Sequence, residues 1–248
     1  MLIIGNWKMN GTPLDVAALE SIAETARAAP ATEVVICPPF TMLTSVAGTA
    51  GLKCGAQDCH EADGGAFTGC VSAPMIKAAG ADYVLVGHSE RRRHHGETNE
   101  TVIAKAAAAI RAALIPVICV GETASERGAG DAYRIVNEQL RLVIRTLRGE
   151  IVVAYEPVWA IGTGNVPSVR DVEEMMARLG SMLGEAAALN AKLVYGGSVG
   201  AANAAHFLGI NHVSGVLLGG ASLRVDEMRH IIKIGDKGVP ASRADAGL

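Results

Sequence analysis

The chain has 248 residues, with 22 Lys and Arg against 25 Asp and Glu, and the net charge of −3 leaves no cationic face for a nucleic-acid backbone. Half the residues are hydrophobic but only 4% are aromatic, which argues against disorder and against aromatic stacking platforms and builds the core from Ala, Val, Ile and Leu. Five cysteines (Cys37, Cys54, Cys59, Cys70 and Cys119) in a chain long enough to fold without staples predict reduced thiols, and the three-residue apolar run opening MLIIGN is too short for a signal core or a membrane span, so a cytoplasmic protein is expected.

In chain order, Leu2 to Ile4 reads as a strand followed by Asn6 and Lys8, with helical spacing over Leu14 to Ala29. Val34 to Cys37 is a second strand before a short helix over Thr41 to Ala50, and Lys53 to Ala56 is a weaker third before Ala73 to Ala79. Tyr83 to Val86 runs into Gly87-His88-Ser89-Glu90, and Thr98 to Ala113 reads as a helix. After the fifth strand, Val117 to Val120, the residues Ile135, Val136, Leu140, Val143, Ile144 and Leu147 fall on one helical face, with Arg134, Glu138, Arg141 and Arg145 elsewhere. Ile151 to Tyr155 ends on Glu156-Pro157, and Val169 to Leu183 follows as a helix. Leu193 to Tyr195 ends on Gly196-Gly197-Ser198, Val216 to Leu218 ends on Gly219-Gly220, and Asp226 to Ile234 is the last helix.

The strand runs are continuous rather than alternating, which suits parallel strands covered on both faces. Eight repeats in 248 residues give about 31 residues per unit, enough for one strand, one helix and two short loops. A closed, single-domain eightfold (β/α) barrel over 1–248 accounts for that count, with a loosely ordered tail from about 237; a doubly wound open sheet also fits the pattern.

Polar and glycine clusters follow the strands, where parallel α/β folds place their sites. Two Gly-Gly pairs after consecutive strands offer unhindered main-chain N–H groups for a phosphate. Glu156, at the end of an apolar strand, suits a general base, although a lone glutamate there also serves as a structural partner. His88 stands at a helix start, and Lys8 supplies positive charge or pairs with a neighbour such as Glu90. The rival is Gly196-Gly197-Ser198-Val199-Gly200, which matches the G-x-S-x-G of serine hydrolases with Asp226 and His230 following in order. Those two lie four apart in one helical run, whereas acid and base belong on separate loops. Cys54, Cys59 and His60 lack a second ligand pair at zinc spacing, His94-His95 sit side by side, and Arg91-Arg92-Arg93 reads as a solvated or paired face, so no metal is expected.

With these residues named, the sequence resembles the triosephosphate isomerase family over nearly its whole length. The resemblance rests on Asn6-Trp7-Lys8-Met9-Asn10, Gly65-Ala66-Phe67-Thr68-Gly69, Val86-Gly87-His88-Ser89-Glu90-Arg91-Arg92, Cys119-Val120-Gly121-Glu122, AYEPVWAIGTG from Ala154 to Gly164, Tyr195-Gly196-Gly197-Ser198-Val199 and Gly219-Gly220-Ala221-Ser222. It implies a TIM-barrel enzyme that interconverts dihydroxyacetone phosphate and D-glyceraldehyde 3-phosphate without metal or organic cofactor; an isomerase of a four-carbon sugar phosphate on the same scaffold is the alternative. The family is itself a standard illustration of pKa tuning and lid closure. By resemblance Glu156 is the base, neutral His88 shuttles protons between the enediol oxygens, and Asn6 and Lys8 stabilise the enediolate. The phosphate would rest on Gly162, Ser198, Gly219 and Gly220, and Ser89 and Glu90 would support the histidine. Pro157 to Pro167 resembles the closing loop, held shut by Tyr195 and Ser198, while Ile161 and Leu217 match the apolar residues around the base. The segment Gln57 to Gly69, with Phe67, Thr68, Gly69 and the adjoining Cys70, resembles the loop that docks into a partner subunit and implies a homodimer. Cys70 stands where the family usually carries an acidic residue paired with an arginine matching Arg91.

Overall fold

Strands that are apolar on both faces need two partners, a helical layer outside and each other's side chains inside. The structure, a computed structural model, describes residues 1–12, 15–161 and 167–238. Eight parallel strands close into a barrel in chain order: β1 (Leu2–Asn6), β2 (Glu33–Cys37), β3 (Lys53–Ala56), β4 (Tyr83–Val86), β5 (Ile115–Val120), β6 (Gly149–Tyr155), β7 (Leu189–Tyr195) and β8 (Gly215–Leu218). Between them run α1 (Val16–Arg27), α2 (Leu43–Ala47), α3 (Ala73–Ala78), α4 (Ser89–His95), α5 (Asn99–Arg111), α6 (Ala124–Gly128), α7 (Ala132–Thr146), α8 (Val169–Gly184) and α9 (Ala204–Leu208), with α10 (Val225–Lys237) after β8. The seam is ordinary parallel pairing, with Ile4 opposite Val35 on one side and Leu217 on the other. Closure decides against the open sheet.

Side-chain alternation divides the core in two. Leu2, Ile4, Val35, Cys37, Tyr83, Leu85, Val117, Cys119, Val152, Ala154, Val194 and Leu217 fill the barrel. Their neighbours, among them Ile3, Val34, Ile36, Val84, Ile118, Val153 and Val216, pack under the helices. The same parity carries Asn6 onward from Ile4 and Glu156 onward from Ala154, so both emerge from the inner face at the mouth.

Helix periodicity did not reveal α4, α6 or α9. In α4, Ser-Glu-Arg-Arg-Arg-His-His has no apolar residue; caps and polar contacts hold it, and Gly96 ends it in the left-handed region at φ +66°. The helix expected from Thr98 is α5, capped by the Thr98 hydroxyl accepting from the Thr101 N–H at 3.3 Å. At the C-terminus α10 includes Lys237, and the tail beyond Gly238 lies outside the described residues.

Candidate active site

The C-terminal mouth of the barrel holds an open cleft of about 370 Å³. Its walls bring together residues from strand ends far apart in sequence: Asn6 and Lys8 after β1, His88, Ser89 and Glu90 after β4, Glu156 after β6, Gly196, Gly197 and Ser198 after β7, and Leu217, Gly219 and Gly220 at β8. Ile161 lines the same cleft. Gly162 lies outside the described residues.

His88 is the N-cap of α4, and its Nδ1 accepts the Glu90 N–H at 3.2 Å. With that lone pair occupied, the neutral ring carries its proton on Nε2. Nε2 lies 3.1 Å from Glu156 Oε1, and Glu156 Oε2 accepts the Ser89 N–H, also at 3.1 Å. Ser89 and Glu90 therefore act through main-chain N–H groups at the start of one helix, the end that favours negative charge. Glu156 is 2% exposed, so a rigid shell of N–H donors and apolar groups holds its carboxylate. Cys119 belongs to that shell: burial, and next the Glu156 carboxylate, pushes its thiol well above the ordinary value.

Lys8 occupies the left-handed region at φ +53°, strained for a residue with a side chain. Its N–H donates to Asn6 Oδ1 at 2.9 Å, and its carbonyl accepts from Gln57 Nε2 at 2.8 Å, which also donates to the Cys37 carbonyl. So anchored, the ammonium reaches Glu90 Oε1 at 2.6 Å. The pairing with Glu90 foreseen from sequence is present, and it leaves the cation at the rim of the cleft. Burial raises the Glu90 carboxyl, but the Lys8 hydrogen bond and charge outweigh it and hold it below its usual range.

The glycine turns after β7 and β8 stand at the opposite end of the cleft. The N–H groups of Ser198, Gly219 and Gly220 meet no acceptor among the described residues. A Cβ on Gly197 would sit 2.1 Å from the Tyr195 hydroxyl, so a side chain there forces the turn or the tyrosine to shift. That hydroxyl is buried and unpartnered among the described residues, whereas Ser198 Oγ donates to the Ala160 carbonyl at 3.0 Å. Among the described residues no histidine hydrogen-bonds to Ser198 Oγ, and Asp226 and His230 both lie on α10, which ends the hydrolase reading.

Phe67, Thr68, Gly69 and Cys70 are all exposed on the Gln57 to Gly69 segment and its margin. Cys70 is the one exposed thiol; Cys37, Cys54, Cys59 and Cys119 are buried. Arg91 is not waiting for an acid at position 70. Its guanidinium meets Asp58 at 2.8 Å and Glu97 at 2.6 Å, while Lys105 joins both carboxylates from the other side. Arg92 also turns inward, so of the three-arginine run only Arg93 is a solvated face. Arg93 and His94, which line the cleft, and Gln57, Cys119 and Arg92 behind it are contributors to the site region that spacing alone did not single out. Gly121 is another, since a Cβ there would meet the Glu156 carbonyl at 1.8 Å. Among the described residues no three His, Cys, Asp or Glu side chains gather as a metal site, and no helix is long and apolar enough to cross a membrane.

A family model described as triosephosphate isomerase matches residues 1–235. Triosephosphate isomerases of Jannaschia sp. and Dinoroseobacter shibae are 46% and 48% identical over 239 and 241 residues, covering 93% of this chain and 96% and 97% of those proteins. A crystal structure of triosephosphate isomerase from Bartonella henselae superposes with a TM-score of 0.82 at 38% identity, covering 94% of this chain and 98% of that one. Barrel, mouth and whole-length similarity agree, and the chain belongs to the triosephosphate isomerase family.

Proposed function

We propose that the protein interconverts dihydroxyacetone phosphate and D-glyceraldehyde 3-phosphate through an enediolate, with Glu156 as the base and His88 as the electrophile. The observation that carries this reading is the Glu156–His88 contact of 3.1 Å, with His88 Nδ1 occupied by a main-chain N–H, at one end of a cleft whose other end is lined with N–H groups that meet no acceptor among the described residues. A substrate whose phosphate takes Ser198, Gly219 and Gly220, with Gly162 completing the cradle, would displace the carboxylate from His88. The base would then face the carbon beside the carbonyl, and Nε2–H would be free to donate to the developing oxyanion. Asn6 and Lys8 would stabilise the same charge.

Closure of the Pro157 to Pro167 loop, latched by Tyr195 and Ser198 and packing Ile161 with Leu217 around the base, would keep water from the enediolate and limit loss of its phosphate. The unpartnered Tyr195 hydroxyl is what such a latch requires before closure. No metal or organic cofactor enters the scheme. A homodimer is part of the proposal, with Phe67, Thr68, Gly69 and Cys70 docking beside the partner's site. Met9, 95% exposed beside Lys8, and Phe67 at 47% are apolar surfaces that such docking would cover. A cytoplasmic location fits the reduced thiols.

The test is a coupled assay of the purified protein with glyceraldehyde 3-phosphate beside a tetrose phosphate. Turnover of the triose is expected. Preference for the tetrose would move the assignment to the four-carbon isomerase, and binding without turnover would leave a phosphate-binding barrel.

A further inference from the structure

Arg92 lies on α4, half-buried, and contacts three segments at once. Its Nε donates to the Gly87 carbonyl at 2.8 Å, one terminal nitrogen to Asn99 Oδ1 at 2.8 Å, and the other to the Cys119 carbonyl at 3.2 Å. Among the described residues it makes no ion pair within 4.0 Å. Burial pulls its pKa down, and Cys119, Glu97 and Glu156 nearby offset only part of that. A desolvated cation committed to two main-chain carbonyls and an amide is costly unless the position of those groups matters.

Each acceptor governs part of the site. Gly87 is the residue before His88 and holds φ +69°, where a Cβ would meet Val102 at 2.6 Å. Its carbonyl orientation therefore sets the peptide plane from which the histidine departs. Cys119 is the penultimate residue of β5, and its thiol packs against the Glu156 carboxylate; the next carbonyl, Val120, accepts the Glu156 N–H at 2.8 Å. One planar guanidinium thus joins the end of β4, which leads into His88, to the end of β5, whose Cys119 thiol and Val120 carbonyl hold Glu156 where it leaves β6. Lysine could not reproduce this, because Nε and the two terminal nitrogens each meet a different acceptor, which suits a fork and not a point charge.

We propose that Arg92 is a positioning residue for the His88–Glu156 pair: by clamping the Gly87 and Cys119 carbonyls it fixes the separation of the two strand ends. Its catalytic consequence rests on the isomerase reading; its effect on His88 does not. The experiment compares wild type, Arg92→Ala, Arg92→Lys and Asn99→Ala by steady-state kinetics, by added guanidinium ion, and by the ring 15N signals of His88.

In Arg92→Ala kcat is expected to fall about 10²-fold, the scale of a misplacement of order 1 Å, with KM nearly unchanged because the glycine turns belong to β7 and β8. Millimolar guanidinium should restore part of that loss, Arg92→Lys should recover little, and the His88 signals should shift from one tautomer, with the proton on Nε2, toward a mixture. A fall in melting temperature with kcat and the nitrogen signals unchanged would overturn the proposal, as would a kcat loss that guanidinium cannot rescue in a protein whose His88 tautomer is intact. Should Arg92→Ala fail to fold, Arg92→Lys carries the same test: lowered kcat with shifted nitrogen signals supports the clamp, and unchanged values refute it, while Asn99→Ala, which leaves both carbonyl contacts in place, is expected to keep kcat and the nitrogen signals near wild type. Absence of triose phosphate turnover in wild type would count against the isomerase reading alone, and the nitrogen signals would still decide the role of Arg92.

Discussion

Replacing Lys105 with methionine isolates the buried charge cluster that ties the Gln57 to Gly69 segment to the helix carrying Glu90. The side chains of Lys105, Glu97 and Asp58 are 9%, 4% and 14% exposed, and Arg91 is the second cation. Methionine fills the volume of the lysine stem, so the cavity contribution is small. What remains is two buried carboxylates sharing one arginine, with Glu97 Oε2 already lacking a partner. Breaking a buried pair costs about 3–5 kcal/mol, and the surviving Arg91 places this case near the lower end. For a chain of this size that is a fall in melting temperature of roughly 6–12 °C at pH 7.5.

The pH dependence has a definite sign. In wild type, burial raises Glu97 but the Lys105 and Arg91 hydrogen bonds and charges outweigh it, so its folded pKa is depressed. Its contribution is present above the unfolded value and is lost as pH falls through the folded one. For Asp58 burial wins over the same two cations and the carboxyl is raised. Without Lys105 the raising forces dominate the pair, a proton is taken up on folding, and the variant gains stability as pH falls from 7.5 toward 5.5 while wild type does not. Thermal unfolding followed by circular dichroism at both pH values, at fixed protein concentration, reads this directly. A drop under about 2 °C, well short of a buried pair's cost, or identical pH responses in the two proteins, would refute the reasoning.

Glu156→Gln should retain substrate binding and lose about 10²–10⁴ in kcat, because the amide cannot accept the proton; wild-type turnover in that variant would remove Glu156 from the mechanism. In Ser198→Ala the main-chain N–H survives, so KM should rise with kcat largely kept, and covalent labelling of wild-type Ser198 by an active-site ester reagent would contradict that. For Gly197→Ala the 2.1 Å approach to the Tyr195 hydroxyl forces the turn to shift, and a rise in KM together with a stability loss of about 1–3 kcal/mol is expected from enzyme assays and denaturant titration. Cys70→Glu should leave dimer affinity unchanged or weaker in analytical ultracentrifugation, because Asp58 and Glu97 already occupy Arg91; a tighter dimer would mean that Arg91 leaves them on assembly.

The barrel was legible because its strands obey a simple rule: runs such as Ile151 to Tyr155 are apolar throughout, and only two-sided burial explains that. The site was legible for a related reason, since Glu156, His88 and the glycine pairs stand immediately after such runs. What escaped was structure held by polar contacts. The arginine run reads as a solvated or paired face, and sequence does not say which arginine is which, because charge is visible there but direction is set by α4, a helix with no apolar residue to mark its phase. Cys70 stands where the family usually carries the acid for Arg91, and the acids that Arg91 does meet, Asp58 and Glu97, lie 33 residues before and 6 after it. Gly121 and Gly197 look like ordinary turn glycines until the backbones and side chains opposite them are in place.

The distribution of thiols gives the protein a ladder of chemical readouts. Burial raises Cys54 and Cys59 to about 12, and Cys37 and Cys119 well above their ordinary value, so none of the four offers appreciable thiolate at neutral pH. Cys70 alone is open to solvent. A chromogenic disulfide reagent should therefore count one equivalent on a free subunit and five on the unfolded chain, and fewer than one where the segment is docked against a partner. Each counted cysteine keeps half of the reagent as a mixed disulfide and releases the other half as the coloured thiolate, so release kinetics at a single wavelength separate assembly from unfolding in one sample with no substitution made beforehand.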